Sequence, residues 1–447
     1  MPAYKTPGVY VEEISTLPPS VAEVATAIPA FVGTTARGKV GEVEVAEIST
    51  LLEYELRFGK PQPTEFKTDD DGNIEPVDPV PETLLWYAMN LYFKNGGGRC
   101  YVVSVDEHKA TLDKARFEAG LAALEAEDEP TLIVMPEIVA FEQDDFTDLC
   151  QQALAQCAKL GDRFAILDVK NADGTAPGTT ATDNGVEVSR NGYGADNLAY
   201  GAAYYPYLQT TLTHVFDETS VRIGDADTSP TLASKKQSNT ELYNRIKKSL
   251  SEQRVVLPPS AAIAGIYARV DRARGVWKAP ANVGLRSVIG PTKQITHEQQ
   301  EALNVDPTSG KSINAIRSFA GRGTLVWGAR TLAGNDNEWR YVPVRRLFIM
   351  IEESAKKSTA FAVFEPNDAT TWLKVKGMLE SYLYGLWEQG ALQGATPEAA
   401  YYVNVGLGKT MAPEDVLEGR MIVEIGVAAV RPAEFIVLRF SHKLAEA

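Results

Sequence analysis

Reactive side chains are scarce in this chain. Three cysteines occur in 447 residues, Cys100, Cys150 and Cys157. An odd number without metal-ligand spacing indicates neither a disulfide framework nor a zinc site, and fits synthesis in a reducing cytoplasm. The four histidines, His108, His214, His297 and His442, include no H-E-x-x-H pair and none beside a candidate nucleophile, so each reads as a surface or structural side chain. A G-x-S-x-G elbow is missing, and Asp144, Asp145 and Asp148 pattern as a solvated face. No run of about 18 apolar residues appears. The first residues lack a basic stretch followed by an apolar one, so Sec export is not expected. Positive charge is also in deficit, with 44 basic against 59 acidic residues and a net charge of −15, which argues against a nucleic-acid surface and leaves room for a basic partner.

Two glycine-rich stretches invite a phosphate-binding reading and do not support it. Gly406-Leu407-Gly408-Lys409-Thr410 ends like a phosphate loop, but the first glycine of that motif falls on the β-branched Val403, so a strand-end turn is expected. Asn95-Gly96-Gly97-Gly98 precedes a strand instead of following one, which suits a hinge better than a dinucleotide loop. The residues therefore point to no catalytic group, no cofactor and no metal.

What is present is a large supply of core: 44% of residues are hydrophobic and 23% charged, enough for two or three domains. Both ends alternate as strands. Val9, Tyr10, Val11, Glu12, Glu13 and Ile14 follow Pro7-Gly8 and run into Leu17-Pro18-Pro19-Ser20, about eight residues or roughly 26 Å of extended chain in all. Phe435, Ile436, Val437, Leu438, Arg439 and Phe440 follow Arg431-Pro432. Such strands either close a sheet of their own domain or add to the edge of another subunit.

Between the ends the pattern changes twice. Short β-like runs at 28–33 and 43–45 lead to a helix at 82–93, across an acidic, proline-rich surface loop at 68–81. Apolar strands at 100–105, 132–135 and 163–169 then alternate with helices, including 146–159, with later elements at 199–208 and 261–273. That alternation predicts a doubly wound α/β domain. The polar stretches 171–197 and 217–238 read as surface loops. From 313 onward, β-like segments at 325–329 and 340–343 precede two helices, one with Leu347, Ile351, Ser354, Ser358 and Phe361 on one face, the other with Trp372, Val375, Leu379, Tyr382 and Leu386. Asn367 or Asp368 is placed to cap the second helix. Strands at 400–405 and 420–430 complete an α+β domain, expected to be built jointly with the N-terminal strands. The division predicted is an N-terminal arm at 1–25, a β-rich segment at 26–98, an α/β domain at 99–305, an α+β domain at 306–432 and a C-terminal arm at 433–447.

Arg274-Gly275-Val276-Trp277-Lys278-Ala279-Pro280-Ala281-Asn282 closely resembles a signature of contractile tail sheath proteins, with Arg274, Gly275, Trp277, Lys278 and Pro280 carrying the match. The segments 4–13, 26–33, 326–332 and 341–347 are similar to that family as well, so the resemblance spans nearly the whole chain. Size and acidity look more like an extracellular contractile injection system or tailocin sheath than a large phage sheath. The resemblance implies a structural subunit and no enzyme. It implies stacked hexameric rings around an inner tube, baseplate and terminator or cap proteins as further partners, terminal arms donated to neighbours, and assembly in the bacterial cytoplasm into a tail or tail-like particle. It implies no membrane insertion and no direct contact with nucleic acid. It also implies a subtilisin-like middle domain without catalysis. For the tube contact the helix at 368–389 is expected, presenting Lys374, Lys376, Glu380 or Glu388. The rival readings are a minor sheath or non-contractile shell subunit near the baseplate and, further off, a β-rich hydrolase.

Overall fold

Strands that are apolar at every position can only lie inside a sheet covered on both faces, and several such strands organise this chain. The computed structural model describes residues 21–69, 71–108, 112–170, 185–224 and 229–435. The arm residues Val9 to Ile14 and Ile436 to Phe440 lie outside them. Two compact units are present among the described residues, one of 25–350 with 431–435, the other of 21–24 with 351–430.

The larger unit is built on a nine-stranded sheet. From one edge the order is Val283–Gly284, Gly323–Val326, Ile313–Phe319, Gly201–Tyr205, Phe164–Asp168, Leu132–Val134, Pro29–Thr35, Cys100–Glu107 and Glu44–Ile48. The strands from Ile313–Phe319 through Cys100–Glu107 run parallel, and the flanking ones pair antiparallel. The N-terminal strands are expected to help complete the C-terminal α+β region; the first of them among the described residues, Pro29–Thr35, is instead interior to this sheet, with Phe31 opposite Val102 on one side and Val134 on the other. The reason is its composition, since all its positions are buried. The result is a large mixed α/β sheet. The helices Leu85–Lys94 and Ser260–Arg274 pack on each other, and Gly265 permits it: a Cβ there would sit 2.6 Å from the Tyr92 carbonyl oxygen.

Both stretches read as surface loops hold core. Within 171–197, the helix Gly185–Gly192 buries Ser189 and Arg190, and the fully buried Tyr193 follows it. The Ser189 hydroxyl bridges the backbone N–H and C=O of Lys170 at 3.1 Å each. Within 217–238, Val221, Ile223 and Leu232 form a small core with Phe66, Tyr243, Ile246 and Leu250. A few apolar residues spaced among polar ones suffice here because partners come from distant segments. The segment at 340–343, read as extended, keeps one isolated bridge, Arg330 to Tyr341, and then opens the helix Val342–Thr359. Pro343 fits that first turn, where no N–H partner is required.

In the smaller unit, Ile351 and Ser354, placed on one helix face by the sequence, are both buried, and the Val24 N–H donates to Ser354 Oγ at 3.1 Å. Phe361 is 38% exposed, because Val342–Thr359 ends before it and the helical face does not continue. Asp368 caps the helix Ala369–Glu388 by accepting from the Thr371 N–H, while Asn367 accepts from the Trp372 indole at 2.7 Å. Tyr401–Val405 and Val423–Val427 form a two-stranded antiparallel sheet with Val403 opposite Ile425.

One buried ion pair ties the entry of the larger unit to its helices. Arg346 and Asp271 approach to 2.6 Å with side chains 3% and 6% exposed. Thr26 donates its hydroxyl to the same carboxylate at 2.7 Å, and its carbonyl accepts from Arg346 at 2.7 Å. The guanidinium also stacks 4.5 Å from the Tyr267 ring. Arg346→Ala is expected to cost about 3–5 kcal/mol by stranding Asp271, read as a lower urea midpoint with unchanged slope. The double variant Arg346→Met/Asp271→Leu should recover most of that loss.

Candidate functional site

The central sheet has a place where open α/β sheets take ligands. Pro29–Thr35 lies between Cys100–Glu107 on one side and Leu132–Val134 on the other, so the order reverses there and a crevice is expected beyond the strand ends. The Glu137 side chain fills it. Its carboxylate accepts from the backbone N–H of Thr34 at 2.7 Å, Leu84 at 3.2 Å and Leu85 at 3.0 Å, and from the Thr34 hydroxyl at 3.1 Å. Leu84 and Leu85 open the helix Leu85–Lys94, which has no side-chain cap of its own. Glu137 therefore takes the amides that a bound anion would take. Gly33 makes room, since a Cβ there would lie 2.8 Å from Glu137 Oε2. Burial pushes the Glu137 carboxyl up, with the Thr34 and Leu85 amides drawing it back.

Thr34, His108 and Glu137 are close enough to raise the question of catalysis. His108 Nδ1 is 3.3 Å from Thr34 Oγ1, and burial lowers its imidazole to about 4. Thr34 is only 4% exposed and already donates to Glu137, so no substrate reaches its hydroxyl. A second buried acid, Asp168, accepts from the Ser260 N–H at 2.8 Å and from the Ser260 hydroxyl at 2.5 Å, and Tyr193 donates to the Asp168 carbonyl at 2.9 Å. This pair fastens the start of the helix Ser260–Arg274 to the end of Phe164–Asp168. Among the hydrogen bonds of the described residues, Ser260 is bonded to no histidine. Sequence reasoning missed both acids: their partners lie 52 to 103 residues away, and many are backbone groups without a signature.

The signature residues form a corner. Gly275 ends the helix with φ 84°, its N–H bonding the Asp271 carbonyl, and a Cβ there would lie 2.4 Å from the Trp277 ring. Lys278 N–H closes the turn onto the Gly275 carbonyl at 3.1 Å, and Asn282 N–H bonds Val326 O at 2.7 Å, passing the chain into the edge of the sheet. Arg274 is exposed, Pro280 buried, and Trp277 and Lys278 half-buried.

On the helix Ala369–Glu388, Lys374 and Glu388 are exposed and Lys376 and Glu380 half-buried, the latter two pairing at 3.5 Å. Leu379 and Leu386 are buried on the other side, with Trp372 half-buried. In the arm region, Phe435 is in no strand and is 72% exposed. Just before it Glu434 is held by Arg330 at 2.6 Å, Asn304 at 2.8 Å and Tyr341 at 3.2 Å. Gly406 to Thr410 forms a turn after Tyr401–Val405, with Gly406 and Gly408 at φ 137° and 74°. No group of three or more His, Cys, Asp or Glu among the described residues is placed to hold a metal ion, and none of their helices is long and apolar enough to cross a membrane.

Two family descriptions match the sequence, the phage tail sheath protein central domain over residues 112–332 and the phage tail sheath C-terminal domain over 334–443. The chain is similar to a sheath complex of an extracellular contractile injection system, PVC, in the contracted state, with 34% identity, a TM-score of 0.69 and coverage of 99% of both chains. A baseplate structure of the anti-feeding prophage, six-fold symmetrised, contains a chain with 34% identity and a TM-score of 0.67, over 99% of this chain and 100% of that one. The tail sheath protein of Vibrio phage KVP40 is 25% identical over 185 residues, 41% of this chain; that match spans only 26% of the phage protein.

Burial pushes the Asp168 carboxyl up to about 7, with Ser260 drawing it partly back. A carboxyl raised on folding binds its proton more tightly in the native state, so its contribution to stability falls as pH rises from about 4 towards 7. Asp168→Asn should flatten thermal stability between pH 5 and 8. Ser260→Ala should cost about 1–3 kcal/mol by leaving a carboxylate oxygen unmet, measured by thermal denaturation at both pH values.

Proposed function

This chain belongs to the phage tail sheath family, whose members compared above are structural proteins and not enzymes, and from that membership we propose that it is the major subunit of a contractile sheath. Tail sheath subunit of a contractile injection system is the function its relatives support, as part of a phage tail or tail-like particle. The finer reading is that subunits stack as hexameric rings around an inner tube, assemble in the bacterial cytoplasm with baseplate and terminator or cap proteins, and contract to drive the tube through a target envelope.

The observation that carries this reading is the two-stranded sheet of Tyr401–Val405 and Val423–Val427, a size that is marginal in water by itself. Among the described residues only one end of it is extended, where Gln393 N–H bonds Ala428 O at 2.7 Å and Leu392 bridges Ala429. Strands from neighbouring subunits, at 9–14 and 435–440, would complete it by edge addition. Each ladder hydrogen bond adds about 0.5–1.5 kcal/mol net, so a donated strand holds neighbours together while the bodies they join reorient. No nucleotide is needed; contraction draws on buried area, at roughly 25 cal/mol per Å², repeated over every subunit. The parallel strands of the larger unit accommodate a subtilisin-like ancestry, architectural only. A minor sheath or shell subunit would share the fold and differ in copy number per particle.

Negative-stain microscopy of the chain coexpressed with its tube protein should show wide hollow cylinders, lost when residues 1–15 are deleted. Compact monomers from the full-length chain in every preparation would sink the proposal. For the tube contact, Lys374→Glu/Lys376→Glu should leave the monomer's melting temperature unchanged and impair assembly around the tube; normal extended particles from that variant would reject the assignment of this helix face.

A further inference from the structure

The signature corner sits in a concentration of positive charge that no salt bridge among the described residues neutralises. Lys94, Arg269, Arg272, Arg274, Lys278 and Arg286 surround it, and among the described residues none of them forms a salt bridge. They are neighbours. Arg272 reaches the Gly96 carbonyl at 3.4 Å, Arg269 the Gly284 carbonyl at 2.6 Å, and Asn95 bonds the Arg286 backbone in both directions at 3.1 and 2.8 Å. Where a charged neighbour acts on them it is of like sign: Arg269 is lowered by burial and then by Arg286, Lys278 by burial and then by Arg274.

Helix C-termini explain part of this. Lys94 lies in the last turn of Leu85–Lys94, and Arg272 and Arg274 in that of Ser260–Arg274, where a cation is favoured. Arg269, Lys278 and Arg286 lie outside those turns, so the helices do not account for the whole cluster. In a chain of net charge −15, unpaired like charges gathered on one surface raise the energy of the isolated subunit. They are explained by an acidic partner.

The same unit carries the complement. Glu65, Asp69, Asp71, Glu75, Asp78 and Glu82 are all exposed, and among the described residues none of them forms a salt bridge either. The described residues between these acids are held in place. Phe66 and Thr68 are buried, Asp69 locks the turn to Asn73 at 2.7 Å, and the Pro79 carbonyl accepts from Val256 N–H at 2.7 Å.

We propose that the basic surface around Arg269, Arg272 and Arg286 docks on the acidic face formed by Glu65, Asp69, Asp71, Glu75, Asp78 and Glu82 of a second copy of this chain. Two different patches meeting head to tail make a heterologous contact, which propagates from copy to copy instead of closing a pair. The inference rests on the polymeric reading above and adds a contact between subunit bodies, independent of the terminal strands. Opposite charges set the register of neighbouring copies, and a contact of this kind weakens with added salt.

The test uses the full-length chain coexpressed with its tube partner. Variant one is Arg272→Glu/Arg286→Glu, variant two Glu75→Arg/Asp78→Arg, and variant three combines all four. Each altered residue is exposed, and unchanged melting temperatures of the monomers establish that the fold is intact. Variants one and two are each expected to lower the pelletable, cylinder-forming fraction more than ~tenfold, because like charges are brought face to face; variant three should regain cylinders. Normal cylinders from either single reversal, or no recovery in variant three, would overturn the contact while leaving the sheath reading intact. A wild-type chain that never polymerises would instead overturn the sheath reading and this contact with it.

Discussion

A single buried carboxylate organises the centre of the larger unit. Glu137 collects the amides of Thr34, Leu84 and Leu85, joining the end of the interior strand Pro29–Thr35 to the beginning of the helix Leu85–Lys94. Burying an anion without a cation is costly unless its oxygens are fully hydrogen-bonded. Here the donors are backbone groups that would themselves be orphaned without it. The strand, the helix start and the turn carrying Glu137 therefore specify one another. The arrangement also fills the crevice where related architectures hold a ligand.

Around that centre, polar groups act as joints. Asp168 and Ser260 pin one helix to the sheet, and Asp271, Arg346 and Thr26 pin its far end to the incoming chain. The helix Ser260–Arg274 is thus held near both termini before it reaches the signature corner. That corner must be rigid: Gly275 adopts a backbone conformation that side chains disfavour, and the Trp277 ring occupies the space a Cβ would need. A stiff corner gives the surrounding cations a fixed arrangement, which a register-setting contact between copies requires.

Much of the sheet was legible in the sequence because its strands are short, apolar and bounded by turn residues. Cys100–Glu107, Leu132–Val134 and Phe164–Asp168 announce themselves that way. The helix Ala369–Glu388 was equally clear, its cap narrowed to Asn367 or Asp368, of which Asp368 takes the role. Gly185–Gly192 and the core around Val221 and Leu232 were not, because lone apolar residues among Asn, Thr and Asp carry no period and gain meaning only from partners such as Tyr243 and Ile246. Glu137 was invisible for a related reason: a glutamate beside proline reads as solvent-facing until backbone amides from two distant segments are seen to converge on it. The family signature identified the chain, yet the chemistry of its corner, a forced glycine and cations without a salt bridge among the described residues, emerged only from the fold.

The root of the C-terminal segment has a mechanical consequence. Glu434 is gripped by Arg330; the Arg330 backbone N–H and C=O are in turn both held by the Asn314 side chain, at 2.8 and 2.7 Å, and Asn314 also donates to the Ala203 carbonyl at 3.2 Å. A pull on the segment beyond residue 434 is thereby delivered, through three side chains in series, into two adjacent strands in the interior of the nine-stranded sheet. Both strands are hydrogen-bonded to neighbours on each side, unlike a strand at a sheet edge, which has a partner on one side alone. The root of the C-terminal segment is thus moored to the interior of the sheet and not to its rim.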